Sequence, residues 1–172
     1  YRGAVTQTPS PSWLAQHPSL DVVYAALEGD AAVQAFSRSG ESTLRPLGEP
    51  VEAGDSVCHV AVAPDGSSLI ASCYGDGRVV RIGIDSHGRL VPDAVNKAAE
   101  LRAALLGESI ETAAPAGVAA AASDPYSGEL TASGEARVSH AHASAFLPDG
   151  RIATTDLGFD LVRIWRQTAG GL

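Results

Sequence analysis

The chain has 172 residues, 45% of them hydrophobic, which is enough for one compact domain with a substantial core. Its formal net charge of −8 argues against nucleic acid bound through a basic surface, because that mode needs clusters of lysine and arginine. No apolar run approaches the roughly 18 residues that span a bilayer, so no membrane partner is predicted.

Cys58 and Cys73 are the two cysteines of the chain. Two cysteines do not form a disulfide framework, and no CxxC spacing indicates a metal site. Free thiols in a reducing compartment are favoured over a bridge, and we therefore expect a cytoplasmic protein.

Taken in order, the chain contains three copies of one pattern, in which strands alternate with tight turns. The first copy covers residues 11–36, and a polar turn then leads to a short fourth strand near residues 43–47. The second copy covers residues 57–84 and turns at Pro64-Asp65-Gly66, with a short fourth strand near residues 89–91. Proline and glycine favour these turns because proline presets φ and glycine accepts positive φ.

Residues 93–136 interrupt the pattern. Residues 93–107 have a capping aspartate, good helix formers and a terminal glycine, which predict one helix. A flexible segment rich in alanine, glycine, serine and proline is predicted from there to Gly134. A degenerate extra blade is the alternative interpretation of this insertion.

The third copy begins at Ser139 and closes with residues 160–165. Four antiparallel strands repeated at about 40–50 residues are typical of a β-propeller blade, so we predict an all-β fold. The prediction is one partial propeller domain over residues 1–172, with four-stranded antiparallel blades at about 1–55, 56–92 and 137–172. Propellers close with about four to eight blades, so we expect further blades or another copy of the chain to cover the open faces.

Four motifs, in this order, resemble the seven-bladed lactonase family. They are Pro11-Ser-Trp-Leu-Ala, Cys58-His-Val with Pro64-Asp-Gly, Tyr74-Gly-Asp-Gly, and His140-Ala-His with Asp156-Leu-Gly. That family includes propeller-type 6-phosphogluconolactonases and fungal-type carboxymuconate lactonising enzymes. The chain departs from the family at Cys73, where an asparagine is usual, and in its long insertion. The resemblance also implies an arginine and a glutamate from later blades, which this chain does not contain.

The residues that open each innermost strand are the candidates for lining the central channel. Counted back from the turn proline, Ser12, Cys58 and His142 are equivalent, and the next position carries Trp13, His59 and Ala143. Alternate side chains of a strand point to opposite sides, so only one series faces the channel. The resemblance favours the series that contains His142.

Counting across the hairpins places His142 opposite Asp156 and Cys58 opposite Cys73. A carboxylate opposite the imidazole would orient it as a general base requires. We therefore predict His142 and Asp156 as the catalytic pair. A hydrogen-bonded structural histidine and an aspartate that only forms a turn are the plainer alternatives.

Four further residues are candidate substrate contacts: His140, Arg137, His59 and Glu28. Arg137 could bind a phosphate or a carboxylate, although a solvated loop arginine is the commoner state. His59 could instead pack between blades, and Glu28 could serve only the turn. The histidines show no metal-ligand spacing, and no phosphate-binding loop is present, so neither a metal nor a cofactor is predicted.

The resemblance implies a hydrolase that opens a sugar lactone by base-assisted attack of water, with 6-phosphogluconolactone as the default substrate. A lactonising isomerase that acts on a carboxymuconate is the alternative enzyme. A non-catalytic propeller that serves as a binding scaffold is the alternative outside the enzymes.

Overall fold

A computed structural model of the protein describes residues 6–92, 130–167 and 172. Within them the fold is almost entirely β-structure, in three antiparallel sheets that follow one another along the chain. The first sheet holds β1 (Pro11–Gln16), β2 (Val22–Leu27), β3 (Ala32–Ser39), β4 (Thr43–Pro46) and β5 (Val51–Glu52). The second holds β6 (Val57–Val62), β7 (Ser68–Cys73), β8 (Val79–Ile84) and β9 (Leu90–Val91), and the third holds β10 (Ala141–Phe146), β11 (Ile152–Asp156) and β12 (Leu161–Trp165). The all-β prediction is therefore confirmed.

The main core lies between the first and second sheets. Tyr24 and Val33 of the first sheet pack there with Leu69 of the second, and all three are fully buried. The Tyr24 hydroxyl donates to the carbonyl oxygen of Gly88 over 3.0 Å, so its polar atom is satisfied across the interface.

Strand β7 belongs to two cores because its side chains alternate between its two faces. Leu69 and Ala71 pack against the first sheet, whereas Ile70 packs against Ala141 and Ile152 of the third. The second sheet is therefore buried on both faces, like an internal blade of a propeller.

Two sheet faces have no neighbouring sheet within the described ranges. On the first sheet, Leu14 and Phe36 line an open groove of about 520 Å³. On the third sheet, Val162 and Ile164 are 69% and 51% exposed. What covers these faces stays a prediction, with further blades or another copy of the chain as the expected occupants.

Each of the three innermost strands contains a β-bulge at the same position of the repeat. The bulged residues are Ser12 in β1, Cys58 in β6 and His142 in β10. A bulge adds one unpaired residue and redirects its side chain. The three residues that the sequence alignment treats as equivalent therefore share a distinct backbone setting.

The bulges overturn the predicted opposition of His142 and Asp156, and also that of Cys58 and Cys73. Ala141 lies opposite Asp156 instead, because the extra residue shifts the pairing by one. On the turn side of each bulge the predicted register holds. A hairpin count assumes one residue opposite one residue, and a bulge breaks that assumption.

The helix predicted over residues 93–107 lies outside the described residues. In the described part of the insertion, Leu130 and Ala136 form an isolated antiparallel bridge. The N–H of Gly134 donates to the carbonyl oxygen of Thr131 over 2.9 Å, which closes a tight turn inside this bridge.

Candidate active site

One edge of the molecule collects the candidate residues. Strands β1, β6 and β10 lie side by side, and at this edge they begin while the second strand of each sheet ends. We call this edge the rim and define it by six residues: Ser12, Glu28, Cys58, Tyr74, His140 and His142.

The rim has the same backbone bond in every sheet. The residue that follows the second strand donates its N–H to the carbonyl two positions before the bulge, over 2.9–3.0 Å. The three bonds run from Glu28 to Ser10, from Tyr74 to Ser56 and from Leu157 to His140. Glu28 and Tyr74 are therefore equivalent, and His140 occupies a position that holds serine in the other two sheets.

His142 is exposed at its bulge, and no described residue hydrogen-bonds to its ring nitrogens. Its ring stands edge-on to the ring of Tyr74, with centroids 6.3 Å apart. The sulfur of Cys58 lies 3.4 Å from its carbonyl oxygen and ties the bulge to the second sheet. The structure thus presents an available imidazole on a fixed backbone.

The ring of His140 packs against the same tyrosine, Tyr74. Its imidazole stacks on Tyr74, with centroids 4.3 Å apart and planes 16° from parallel. Its Nδ1 atom is 2.6 Å from the carbonyl oxygen of Tyr74. The two histidines of the His140-Ala-His142 motif therefore meet the same tyrosine in different geometries.

Asp156 is 2% exposed, and its carboxylate is fully occupied by groups other than the His142 ring. Its Oδ1 atom accepts the N–H of His140 at 3.0 Å, and its Oδ2 atom accepts the Ser139 hydroxyl at 2.7 Å and Arg163 at 2.8 Å. Burial pushes the pKa of Asp156 up, but the bonds from His140, Ser139 and Arg163 outweigh it, and the pKa lies below its ordinary value. Asp156 therefore braces the backbone of the histidine motif and is not a partner of the His142 ring.

Arg137 is also occupied. Its Nε donates to the carbonyl oxygen of Gly158 over 2.7 Å, and its guanidinium forms an ion pair with Asp160. The same guanidinium lies 5.8 Å from the centre of the Phe159 ring. In this structure Arg137 therefore stabilises the turn between β11 and β12.

His59 bridges the three sheets near the rim. Its ring lies 4.5 Å from that of Trp13, and its Nδ1 accepts the N–H of Ser144 at 3.3 Å. Burial, followed by the charge of His142, lowers the pKa of His59. His59 therefore has the packing role that the plainer interpretation gave it, while remaining close enough to His142 to sense its charge.

Glu28 lies near Cys58. Burial, followed by the negative charge of Glu28, raises the pKa of the Cys58 thiol. Both cysteines are free thiols, with Cys58 half-buried and Cys73 buried. The relation between Glu28 and Cys58 corresponds to that between Tyr74 and His142, since each pair joins equivalent positions of adjacent sheets.

Within residues 6–92 and 130–167, no group of three His, Cys, Asp or Glu side chains is placed to hold a metal ion. No helix in those ranges has the length and hydropathy of a membrane span.

Comparison with known proteins decides the family. A family model described as "Lactonase, 7-bladed beta-propeller" matches residues 2–172. The chain belongs to this lactonase family. No curated protein matches the sequence.

Solved structures share the fold of this lactonase-family chain. A Lactobacillus plantarum protein is 21% identical with a TM-score of 0.69, over 99% of this chain and 42% of its own. A Bacteroides uniformis protein, provisionally assigned as a 6-phosphogluconolactonase, is 21% identical with a TM-score of 0.69, over 96% and 41%. The Pseudomonas aeruginosa periplasmic gluconolactonase PpgL is 19% identical with a TM-score of 0.62, over 98% and 39%. The chain thus spans about two fifths of these proteins, and its three sheets are part of a β-propeller, as predicted.

Sequence reasoning missed two residues of the rim. In the sequence Tyr74 stands out only as part of the Tyr74-Gly-Asp-Gly motif, yet its ring contacts both histidines of the next sheet. Cys58 is predicted only as a member of the series that lines the channel, yet its sulfur also holds the backbone at His142. Tyr74 and Glu28 stand at matching positions of the repeat, but contacts between adjacent sheets are not visible in a single repeat.

Proposed function

We propose that the complete propeller to which this chain belongs is a hydrolase that opens a sugar lactone, with 6-phosphogluconolactone as the default substrate. Family membership supports the reaction class. The Bacteroides neighbours, each provisionally assigned as a 6-phosphogluconolactonase, suggest the substrate.

The observation that carries the proposal is the exposed imidazole of His142 at the bulge. In the proposed reaction this imidazole accepts a proton from water, and the water oxygen bonds to the lactone carbonyl carbon. The resulting tetrahedral intermediate then breaks its bond to the ring oxygen, which takes up a proton, and the product is the open hydroxy acid. An arginine from the later blades, which the family resemblance implies, would stabilise the oxyanion.

The test compares His142→Ala with His87→Ala in the full-length protein. His87 lies in the β8–β9 turn at the opposite end of its sheet, so it controls for loss of a histidine. Loss of a general base typically costs about 10² to 10⁴-fold in rate, and we expect a fall of that size in kcat/KM for His142→Ala only. Unchanged kcat/KM would remove His142 from the mechanism.

The same assay separates the alternatives. Conversion of a carboxymuconate without hydrolysis of the sugar lactone would favour the lactonising isomerase. Absence of both activities in the folded protein would favour a binding scaffold. We also propose a cytoplasmic location, which cell fractionation would test.

A further inference from the structure

The contact between Tyr74 and His140 fixes which ring nitrogen of His140 carries the proton. The Nδ1 atom of His140 lies 2.6 Å from the carbonyl oxygen of Tyr74, and a carbonyl oxygen can only accept a hydrogen bond. Nδ1 must therefore be the donor. In the neutral ring this leaves the lone pair on Nε2, to which no described residue hydrogen-bonds.

The backbone of His140 is held just as firmly as the ring. Its N–H donates to the buried Oδ1 of Asp156, and its carbonyl oxygen accepts the N–H of Leu157 at 2.9 Å. The neighbouring Ser139 hydroxyl donates to the other carboxylate oxygen. Hydrogen bonds thus hold the backbone of His140, and Tyr74 holds its ring. Little rotational freedom of the side chain therefore remains to be lost when a ligand binds.

His142 provides the contrast within the same motif. It meets Tyr74 only edge-on, and no described residue hydrogen-bonds to either of its ring nitrogens. No described residue therefore fixes its tautomer. His140 and His142 are thus prepared for different tasks.

We propose that Tyr74 is a positioning residue that locks His140 in the Nδ1–H tautomer, so that Nε2 of His140 accepts a hydrogen bond from a hydroxyl group of the ligand. A polyhydroxy lactone offers such hydroxyl groups, and this step alone rests on the proposed function. The carbonyl of Tyr74 binds one ring nitrogen and so fixes the orientation of the other. A metal-binding histidine is oriented in the same way by the hydrogen bond that its non-coordinating nitrogen donates.

The direct test is nitrogen NMR of the full-length protein with ¹⁵N-labelled histidine, in which His140→Gln identifies the His140 signals. At a pH where the ring is neutral, we expect Nδ1 to carry the proton. Tyr74→Phe keeps the ring stack and the backbone carbonyl, so the tautomer should stay. Tyr74→Ala keeps the carbonyl but removes the stack that holds the ring against it, and should bring in the Nε2–H form, which predominates for a histidine side chain in water.

An Nε2–H tautomer in the unmodified protein would overturn the proposal, and so would an unchanged tautomer in Tyr74→Ala. Neither outcome depends on turnover, so the proposed hydrolysis could stand while this inference fails.

The ligand role has its own readout. Losing one neutral hydrogen bond weakens binding by about threefold to tenfold, and we expect KM for 6-phosphogluconolactone to rise by that factor in His140→Ala, which removes the Nε2 acceptor, with kcat within about twofold. A fall in kcat at constant KM would contradict the role in ligand binding. If the protein hydrolyses no lactone, the proposed function fails and the ligand role fails with it, whereas the tautomer is still decided by NMR.

Discussion

The Oδ1 atom of Asp156 accepts a hydrogen bond from the backbone N–H of His140 over 3.0 Å. The same oxygen accepts the N–H of Gly158 at 3.0 Å, so one carboxylate joins the start of β10 to the turn after β11. Because the carboxylate is buried and also bonded to Arg163, the histidine motif and this turn behave as one structural unit.

Replacing Asp156 with asparagine should destabilise the protein. The change removes the negative charge beside Arg163 and replaces one accepting oxygen with a donor, at a buried carboxylate that accepts several hydrogen bonds. We expect a loss of about 3 kcal/mol in the free energy of unfolding, measured by urea denaturation. The control Asp21→Asn removes an exposed ion pair with Arg38 and should cost about 0.5 kcal/mol or less. Similar losses in both variants would contradict the bracing role.

The contribution of Asp156 should depend on pH in a defined direction. Its pKa in the folded protein is below the ordinary value of about 4, so its stabilisation is present in full above about pH 4 and is lost as the pH falls through the folded pKa. The difference in melting temperature between the unmodified protein and Asp156→Asn should therefore shrink below about pH 4. A difference that grows in acid would show that the sign is wrong.

Gly158→Ala should disrupt the rim. A Cβ atom at Gly158 would overlap the carbonyl oxygen of Val138, and backbone atoms cannot move aside as a flexible side chain can. Gly40→Ala is the matched control, because Gly40 has φ +72° but no atom lies within 4 Å of its added Cβ. We expect about 1 kcal/mol of destabilisation at Gly40 and several times that at Gly158, measured by thermal melting. Equal losses would mean that the turn adjusts.

His142→Ala should raise the pKa of His59. Burial is the larger cause of its lowered pKa and stays in the variant, whereas the charge of His142 is removed. The titration midpoint of His59, followed by NMR, should therefore move up but remain below about 6.5. His87→Ala should leave it unchanged, and a His59 midpoint that ignores His142 would contradict their proximity.

The Cys58 thiol should react slowly with alkylating reagents. Burial and Glu28 raise its pKa, so the thiolate fraction at pH 8 is smaller than that of an ordinary cysteine. Glu28→Gln removes the negative charge and should increase the rate of modification by iodoacetamide, measured by mass spectrometry. A decrease in rate would contradict the role of Glu28. Cys73, buried in the core, should stay unmodified in the folded protein.

The fold was predictable because its signals are local and repeated. The Pro64-Asp65-Gly66 turn and its counterparts give the strand order, and β7 lacks alternation of charged and apolar residues, as a strand buried on both faces does. The bulge at His142 was not predictable from the sequence, because the residues at the three bulges are of different types and none of them is specific to a bulge. The partner of Asp156 was missed for this reason.

The site was predictable only in part. At the position of His140 the other two copies carry serine, and at the position of His142 they carry serine or cysteine. An alignment of the copies therefore identifies both histidines. The stack of His140 on Tyr74 depends on how the third sheet packs on the second. Arg137 reads as an anion ligand in the sequence, but Asp160 and Gly158 occupy its guanidinium.

The bulge shared by the three innermost strands has a consequence for how such a protein can change. The same bulge geometry holds Ser12, Cys58 and His142, and none of these residues has a paired residue on the adjacent strand. A hydroxyl, a thiol or an imidazole can therefore be exchanged there while the sheets keep their register. A substitution at one of these positions can therefore introduce a new reactive side chain in one copy of the repeat while strand pairing in every copy stays the same.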